Sequence, residues 1–115
     1  GENIAAAEVE ATLQARDEVA QVAVLAVPDE TREEEVLACV VLSPGTEASA
    51  ALARTLFEHC NQRMAYFKPP GWVMFVDDLP KTGSQKIQKH RIFESGTDPL
   101  QAPGMIDLRA LKRRG

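Results

Sequence analysis

Aromatic residues are scarce in this sequence, and long apolar runs are missing from it. Aromatics make up 5% of the 115 residues, so we expect a core built mainly from Val, Leu, Ile and Ala. No apolar run approaches the ~20 residues that a membrane-spanning helix needs. Residues 1–4 also lack the charged and apolar regions of a signal peptide. We therefore expect no membrane span and a cytoplasmic protein.

Cysteine is equally sparse. Cys39 and Cys60 are the two cysteines of the sequence, and both stand in apolar patterns. Two cysteines do not make a dense disulfide framework, so we predict buried free thiols in a reducing cytoplasm. Together with His59 and His90 they show none of the paired ligand spacings of zinc sites, and no metal site is expected.

Charge is unevenly distributed along the chain. Residues 1–78 hold 5 Lys and Arg against 14 Asp and Glu, whereas residues 79–115 hold 8 against 3, for a net charge of −4. A basic final third is typical of a region with an anionic partner, but a solvated basic surface explains the charge equally well. The length fits one domain.

The apolar pattern predicts alternating helices and strands. A helix is expected over about 5–16, strands over 19–27 and 36–42, a helix over about 48–64, and a third strand over 72–76. The two strands joined by a short polar loop most economically form an antiparallel pair. The order predicts an α+β domain, with a small, mostly antiparallel three-stranded sheet packed against helices.

The remaining segments are less regular. Residues 81–85 are polar and predict a loop, and a last short helix is expected over about 86–94. From residue 95 the chain is linker-like, rich in Gly and Pro. We expect a domain over 1–94 and a linker-like basic tail over 95–115, in which 107–114 forms a short basic helix or stays disordered.

The segment 79–91 contains the most informative chemistry. It holds four Lys and Arg and no acid, and Lys81, Thr82, Ser84 and Lys86 place ammonium groups and hydroxyls beside Gly83. Such a loop can present several hydrogen-bond donors to a phosphate or a carboxylate. Its spacing differs from that of a P-loop. The chemistry alone leaves anion binding and a plain solvated loop both open.

Residues 80–89 read Pro-Lys-Thr-Gly-Ser-Gln-Lys-Ile-Gln-Lys. This resembles the C-terminal signature of the adenylate-forming superfamily, Pro-Lys/Arg-Thr-x-Ser/Thr-Gly-Lys-Ile/Val-x-Arg/Lys. Further stretches, 1–10, 24–30 and 66–80, resemble the landmarks of AMP-forming acyl-CoA synthetases in the same order. The resemblance covers about residues 1–94. One departure is Gln85, which stands where the signature has glycine.

The resemblance implies a two-step ligase. A carboxylic acid, expected to be a fatty acid, attacks ATP to give acyl-AMP, and CoA then takes the acyl group. Mg is expected with ATP, and no cofactor is expected bound to this fragment. The domain would be a mobile lid whose main partner is its own N-terminal adenylation domain. That domain would hold the ATP and acyl pockets, so the fragment alone is expected to be inactive.

The resemblance also assigns residues. Lys86 would be the catalytic adenylation lysine, contacting the carboxylate and the α-phosphate. Lys81, Thr82 and Ser84 would form the anion loop beside it. Residues 1–3 (Gly1, Glu2, Asn3) would belong to a loop that approaches the pantetheine arm of CoA on the opposite face.

Two other functions remain open from the sequence. One is the lid of an adenylation domain that loads a carrier protein instead of CoA. The other is a non-catalytic anion-binding or interaction module. Nucleic acid is not an expected partner, because an RNA-binding sheet needs exposed aromatics on adjacent strands and only Trp72 and Phe75 lie in predicted strands.

Overall fold

A four-stranded sheet with two helices on one face forms the fold of this chain. The computed structural model describes residues 4–112. The helices and strands are, in chain order, α1 (Ala6–Gln14), β1 (Val19–Asp29), β2 (Glu33–Leu42), α2 (Ala50–Asn61), β3 (Trp72–Phe75) and β4 (Ile106–Asp107). Short 3-10 turns cover Lys89–Arg91, Pro99–Gln101 and Arg109–Leu111. The predicted α+β class is confirmed.

The sheet has the order β1-β2-β3-β4. Strands β1 and β2 are antiparallel, as predicted, and their tight connection is fastened by Asp29, which accepts the N–H groups of Thr31 and Arg32 at 3.0 and 2.9 Å. Strand β3 runs parallel to β2. Parallel neighbours need a crossover, which α2 provides.

Both faces of the sheet are covered. On one face α1 and α2 bury Leu13, Leu56 and Phe57 against it. On the other face Leu37 and Met74 are covered by side chains from the segment 87–105. Six consecutive residues of β2, 35–40, are therefore buried, which is the pattern of a central strand with two packed faces.

Helix α2 begins where its cap places it. The Ser49 side chain accepts the Leu52 N–H at 3.0 Å, and serine is a favoured residue at this position. The helix is shorter than the predicted 48–64, although Met64 beyond its end still packs on the same core. Leu52, Leu56, Cys60 and Met64 stand four residues apart in the sequence, and all of them pack on this core.

The last third of the chain differs from expectation. The predicted short helix over 86–94 is wrong, because residues 89–91 form a single 3-10 turn while Ile87 bridges to Lys81 and Ile92 and Phe93 pack on the second core. The predicted three strands are four, because β4 pairs with β3. Within 107–112 the structure has β4 and a 3-10 turn in place of a basic helix. The domain boundary at residue 94 stays a prediction.

Candidate functional site

Lys86 lies at the end of a tight hairpin loop. Its base is an antiparallel bridge between Lys81 and Ile87. Inside the bridge the Thr82 N–H donates to the Lys86 carbonyl and the Gln85 N–H donates to the Thr82 carbonyl, both at 2.9 Å. Outside it, the Gln88 N–H donates to the Pro80 carbonyl at 2.8 Å. These backbone hydrogen bonds therefore fix the backbone position of Lys86.

Gln85 adopts the left-handed conformation, with φ 69°. A turn that closes through such a residue is a standard three-residue hairpin connection, and glycine is the usual residue there. Gly83, two residues earlier, has no positive φ, so within residues 81–87 Gln85 alone is left-handed. A non-glycine residue in the left-handed region costs roughly 1–2 kcal/mol, which means that the loop geometry is kept at a local energetic cost.

The predicted anion loop is only partly assembled around Lys86. Thr82 Oγ1 and Ser84 Oγ lie 2.9 Å apart, and Thr82 Oγ1 also accepts the Lys86 N–H at 3.2 Å. Lys81 points elsewhere: its Nζ lies 2.9 Å from Asp78 Oδ1, and this hydrogen bond holds the pKa of the Asp78 carboxyl below its usual value. Thr82 and Ser84 thus share the loop with Lys86, while Lys81 supports its base.

The Lys86 side chain is exposed, and its ammonium has no hydrogen-bond or ion-pair partner among residues 4–112. Its charge is therefore available to bind an anionic ligand. An ammonium held in place before the reaction can stabilise charge that develops on phosphoryl or carboxylate oxygens without any proton transfer.

A contact that the sequence did not reveal anchors the hairpin to the first helix. Lys89 Nζ lies 2.7 Å from Glu10 Oε2, and the same oxygen accepts the Val24 N–H at 2.8 Å. One carboxylate of α1 therefore joins the segment after Lys86 to the edge strand β1. The opposite charges of Glu10 and Lys89 were visible in the sequence, but 79 positions separate them and nothing there paired them.

The other predicted site lies outside the described residues, since Gly1, Glu2 and Asn3 are not among them. The adjoining Ile4 and Ala5 line a cavity of about 130 Å³ together with Phe67 and Lys68. Tyr66 and Phe67 are exposed, at 37% and 46%, and their ring centres lie 5.6 Å apart in an edge-to-face arrangement. The exposed aromatic pair was not expected, because residues 66–69 had served only as a family landmark.

The remaining candidates are structural. Cys39 and Cys60 are buried free thiols, as predicted, and burial raises the pKa of each to about 12. Such thiols are poor nucleophiles. Among residues 4–112 no cluster of three or more His, Cys, Asp or Glu could hold a metal ion, and no helix there is long and apolar enough to cross a membrane.

Comparison with known proteins identifies the family to which this small α+β domain belongs. A family model described as the AMP-binding enzyme C-terminal domain matches residues 8–86. The chain belongs to this family, as the signature around Lys86 predicted.

The similar proteins are CoA ligases. The chain is 36% identical over 115 residues to the 4-chlorobenzoate–CoA ligase of Pseudomonas sp. (strain CBS-3), covering 99% of this chain and 21% of that protein. It is 37% identical over 94 residues to a mitochondrial medium-chain acyl-CoA ligase of Danio rerio, covering 82% of this chain and 15% of that protein. The chain thus spans about a fifth or less of the length of these relatives.

A solved structure agrees with the sequence comparisons. The crystal structure of the Brucella canis acyl-CoA synthetase matches with a TM-score of 0.73 and 39% identity, over 77% of this chain and 16% of that chain. The fold described above is therefore that of the C-terminal domain of such enzymes.

Proposed function

We propose that this chain is the lid of a ligase that activates a carboxylic acid with ATP to acyl-AMP and then transfers the acyl group to CoA. Membership of the family and the ligase relatives support the reaction class. CoA is the favoured acceptor over a carrier protein because these relatives are named as CoA ligases. ATP, Mg with it, and CoA would meet the lid at a large N-terminal domain.

The acid itself is a finer proposal. A fatty acid is the class that the sequence led us to expect, and one relative acts on medium-chain acids by name, whereas another is named for 4-chlorobenzoate. The pocket that selects the acid would belong to the N-terminal domain. We also propose a cytoplasmic location, which the two free buried thiols favour.

Lys86 is proposed as the residue of the lid that acts in adenylation. The observation that carries this role is an exposed ammonium, without a partner in residues 4–112, at the end of a hairpin fixed by the Lys81–Ile87 bridge. When the lid closes, this ammonium would meet the acid carboxylate and the α-phosphate. Negative charge accumulates there as the new bond to phosphorus forms, so an ammonium stabilises the transition state.

Lys86→Ala in the full-length ligase tests this role. Loss of one charged donor to the developing charge should cost ~2.7–4 kcal/mol, or about 10²–10³ in the rate of adenylation. Thioester formation from supplied acyl-adenylate should largely survive, since it uses the other face of the lid. Both half-reactions are measured on the same protein, adenylation by pyrophosphate exchange. Arginine should not restore the rate fully, because its planar group differs from a compact ammonium.

Arg91→Ala is the matched control. Arg91 is an exposed cation in the same basic segment, and its guanidinium contacts the Gln88 side chain. Its removal changes the charge of the segment without touching the hairpin loop, so adenylation should be nearly unchanged. Equal losses of both half-reactions in Lys86→Ala would assign Lys86 to folding or docking, and an unchanged adenylation rate would refute its role.

A further inference from the structure

A buried ion pair joins the end of the described chain to the centre of the sheet. Lys112 Nζ lies 2.6 Å from Glu35 Oε2, and the two side chains are 0% and 1% exposed. The same carboxylate oxygen accepts the Val36 N–H at 2.8 Å. Buried ion pairs are often no more stabilising than apolar side chains of the same size. The pair is therefore of interest for the segments that it joins.

The pair holds the loop that carries the exposed aromatic side chains. Lys112 Nζ donates to the Phe67 carbonyl at 3.0 Å. Arg32 donates to the Lys112 carbonyl at 3.3 Å, and its guanidinium lies 5.9 Å from the centre of the Tyr66 ring. Lys112 thus holds loop 65–68 through the Phe67 carbonyl, and Arg32 contacts the same loop at the Tyr66 ring.

This loop lies beside the start of the described chain. Phe67 and Lys68 share a cavity with Ile4 and Ala5, and Lys68 Nζ is 2.9 Å from Glu8 Oε1 of helix α1. Residues 1–3, assigned by resemblance to the CoA loop, adjoin Ile4 directly in the sequence. The Lys86 hairpin is joined to α1 through a different carboxylate, that of Glu10.

We propose that Lys112 is a positioning residue for the thioester half-reaction, because it fixes loop 65–68 beside the segment that leads to the CoA loop. The inference rests on the proposed function, since the thioester step is assigned to this face only there. It gives the C-terminal segment a role in the second half-reaction and none in the first.

The test is a double variant of the full-length ligase, Glu35→Gln with Lys112→Met. Replacing both buried partners leaves no fully buried charge unpaired, because Arg32, which also pairs with Glu35 at 3.5 Å, is 30% exposed. The glutamine oxygen can still accept the Val36 N–H. Small displacements of positioning groups have large effects on rate, so thioester formation from supplied acyl-adenylate should fall about tenfold or more while adenylation stays within about twofold. The KM for CoA is measured in the same assay, and the melting temperature confirms that the variant folds.

Arg16→Met is the matched control, because it removes a half-buried arginine whose ion-pair partner is Glu18, outside both the C-terminal segment and loop 65–68. It should leave the ratio of the two half-reactions unchanged. If the double variant does not fold, Arg32→Met removes the lateral fastening at a half-buried position and should produce the same selective loss.

An unchanged thioester rate in the folded variant overturns the inference, and so does an equal loss in both half-reactions. A wild-type ligase that forms no thioester would refute the proposed function instead.

Discussion

Residue 85 is a position at which the side chain present makes the required backbone conformation unfavourable. The hairpin closes with a left-handed residue there, and the chain supplies Gln85 with φ 69°. The loop nevertheless keeps its shape, because the Lys81–Ile87 bridge and the Gln85 N–H bond to Thr82 restrain both sides. The strain is held by the surrounding hydrogen bonds, in agreement with the general finding that strained residues persist where their surroundings over-determine them.

Gln85→Gly should therefore stabilise the chain. Glycine removes the roughly 1–2 kcal/mol cost of the left-handed conformation and adds an entropy cost of roughly 0.5–1 kcal/mol. The net gain in the free energy of unfolding is expected to be up to about 1.5 kcal/mol, measured by urea denaturation. Gln85→Ala is the control and should give no gain, because alanine has the same steric conflict. Stabilisation by alanine as well would show that the side chain, and not φ, is at fault.

At the scale of the elements, the short strand β4 depends on charged side chains for its attachment. Arg109 lies between Asp107 and Asp29, with nitrogen–oxygen distances of 2.9 and 3.0 Å, and its guanidinium stacks 4.6 Å from the centre of the Trp72 ring. Leu108 is buried behind it, and its N–H donates to the Gly71 carbonyl at 2.7 Å. A two-residue strand contributes little by itself, so these contacts hold the segment on the sheet.

Acid should loosen this segment before it unfolds the domain. The hydrogen bond from Arg109 lowers the pKa of Asp107 below its ordinary 3.8. Burial raises the pKa of Asp29, but hydrogen bonds from Arg32, Arg109 and Thr31 outweigh it and lower that pKa overall. Both carboxylates bind protons more weakly when folded, so their stabilisation is present above pH 3.8 and is lost as the pH falls through the folded pKa values.

Trp72 is the single tryptophan of the chain and lies under Arg109, so its fluorescence reports the release. A change in its emission below pH 3.8 should precede the loss of far-UV circular dichroism. In Arg109→Met this early change should be missing. Coincident fluorescence and dichroism transitions in the wild-type chain would contradict the idea of a separately attached segment.

At the scale of the whole molecule, the chain has a core on each face of its sheet but spans only a small part of the length of its relatives. Side chains from α1 and α2 cover one face, and the segment 87–105 covers the other. Two packed faces predict a domain that folds by itself. The relatives are about five times longer or more, since the chain spans 21% and 15% of them.

The isolated 115-residue chain should therefore be folded and inactive. Purified chain with ATP, Mg, CoA and a panel of aliphatic and aromatic acids should yield no acyl-CoA, while circular dichroism shows a folded α+β protein. A full-length ligase with this lid is the positive control under the same conditions. Acyl-CoA formation by the 115-residue chain would contradict the assignment as a lid.

The sequence alone determined what depends on local pattern. The apolar residues four apart in α2 and the β-branched residues of β1 and β2 are local signals, and the apolar pattern predicted these elements. The signature around Lys86 is also local, because the hairpin that presents it is closed by residues within 80–88. Such features follow from the chain's own periodicity and turn chemistry, whatever the rest of the fold does.

Contacts between distant positions, by contrast, are set by how the whole sheet packs. Strand β4 has two residues, which are too few to show any periodicity in the sequence. It forms because it pairs with the free edge of β3. The Glu35–Lys112 pair joins positions 77 apart, and the Glu10–Lys89 pair joins two further distant elements. A charge in the sequence has many opposite charges available, and the packing of the sheet selects its partner. The predicted helix over 86–94 was wrong for the same reason. Ile87, Ile92 and Phe93 pack on the second face of the sheet, and the sequence did not show this contact.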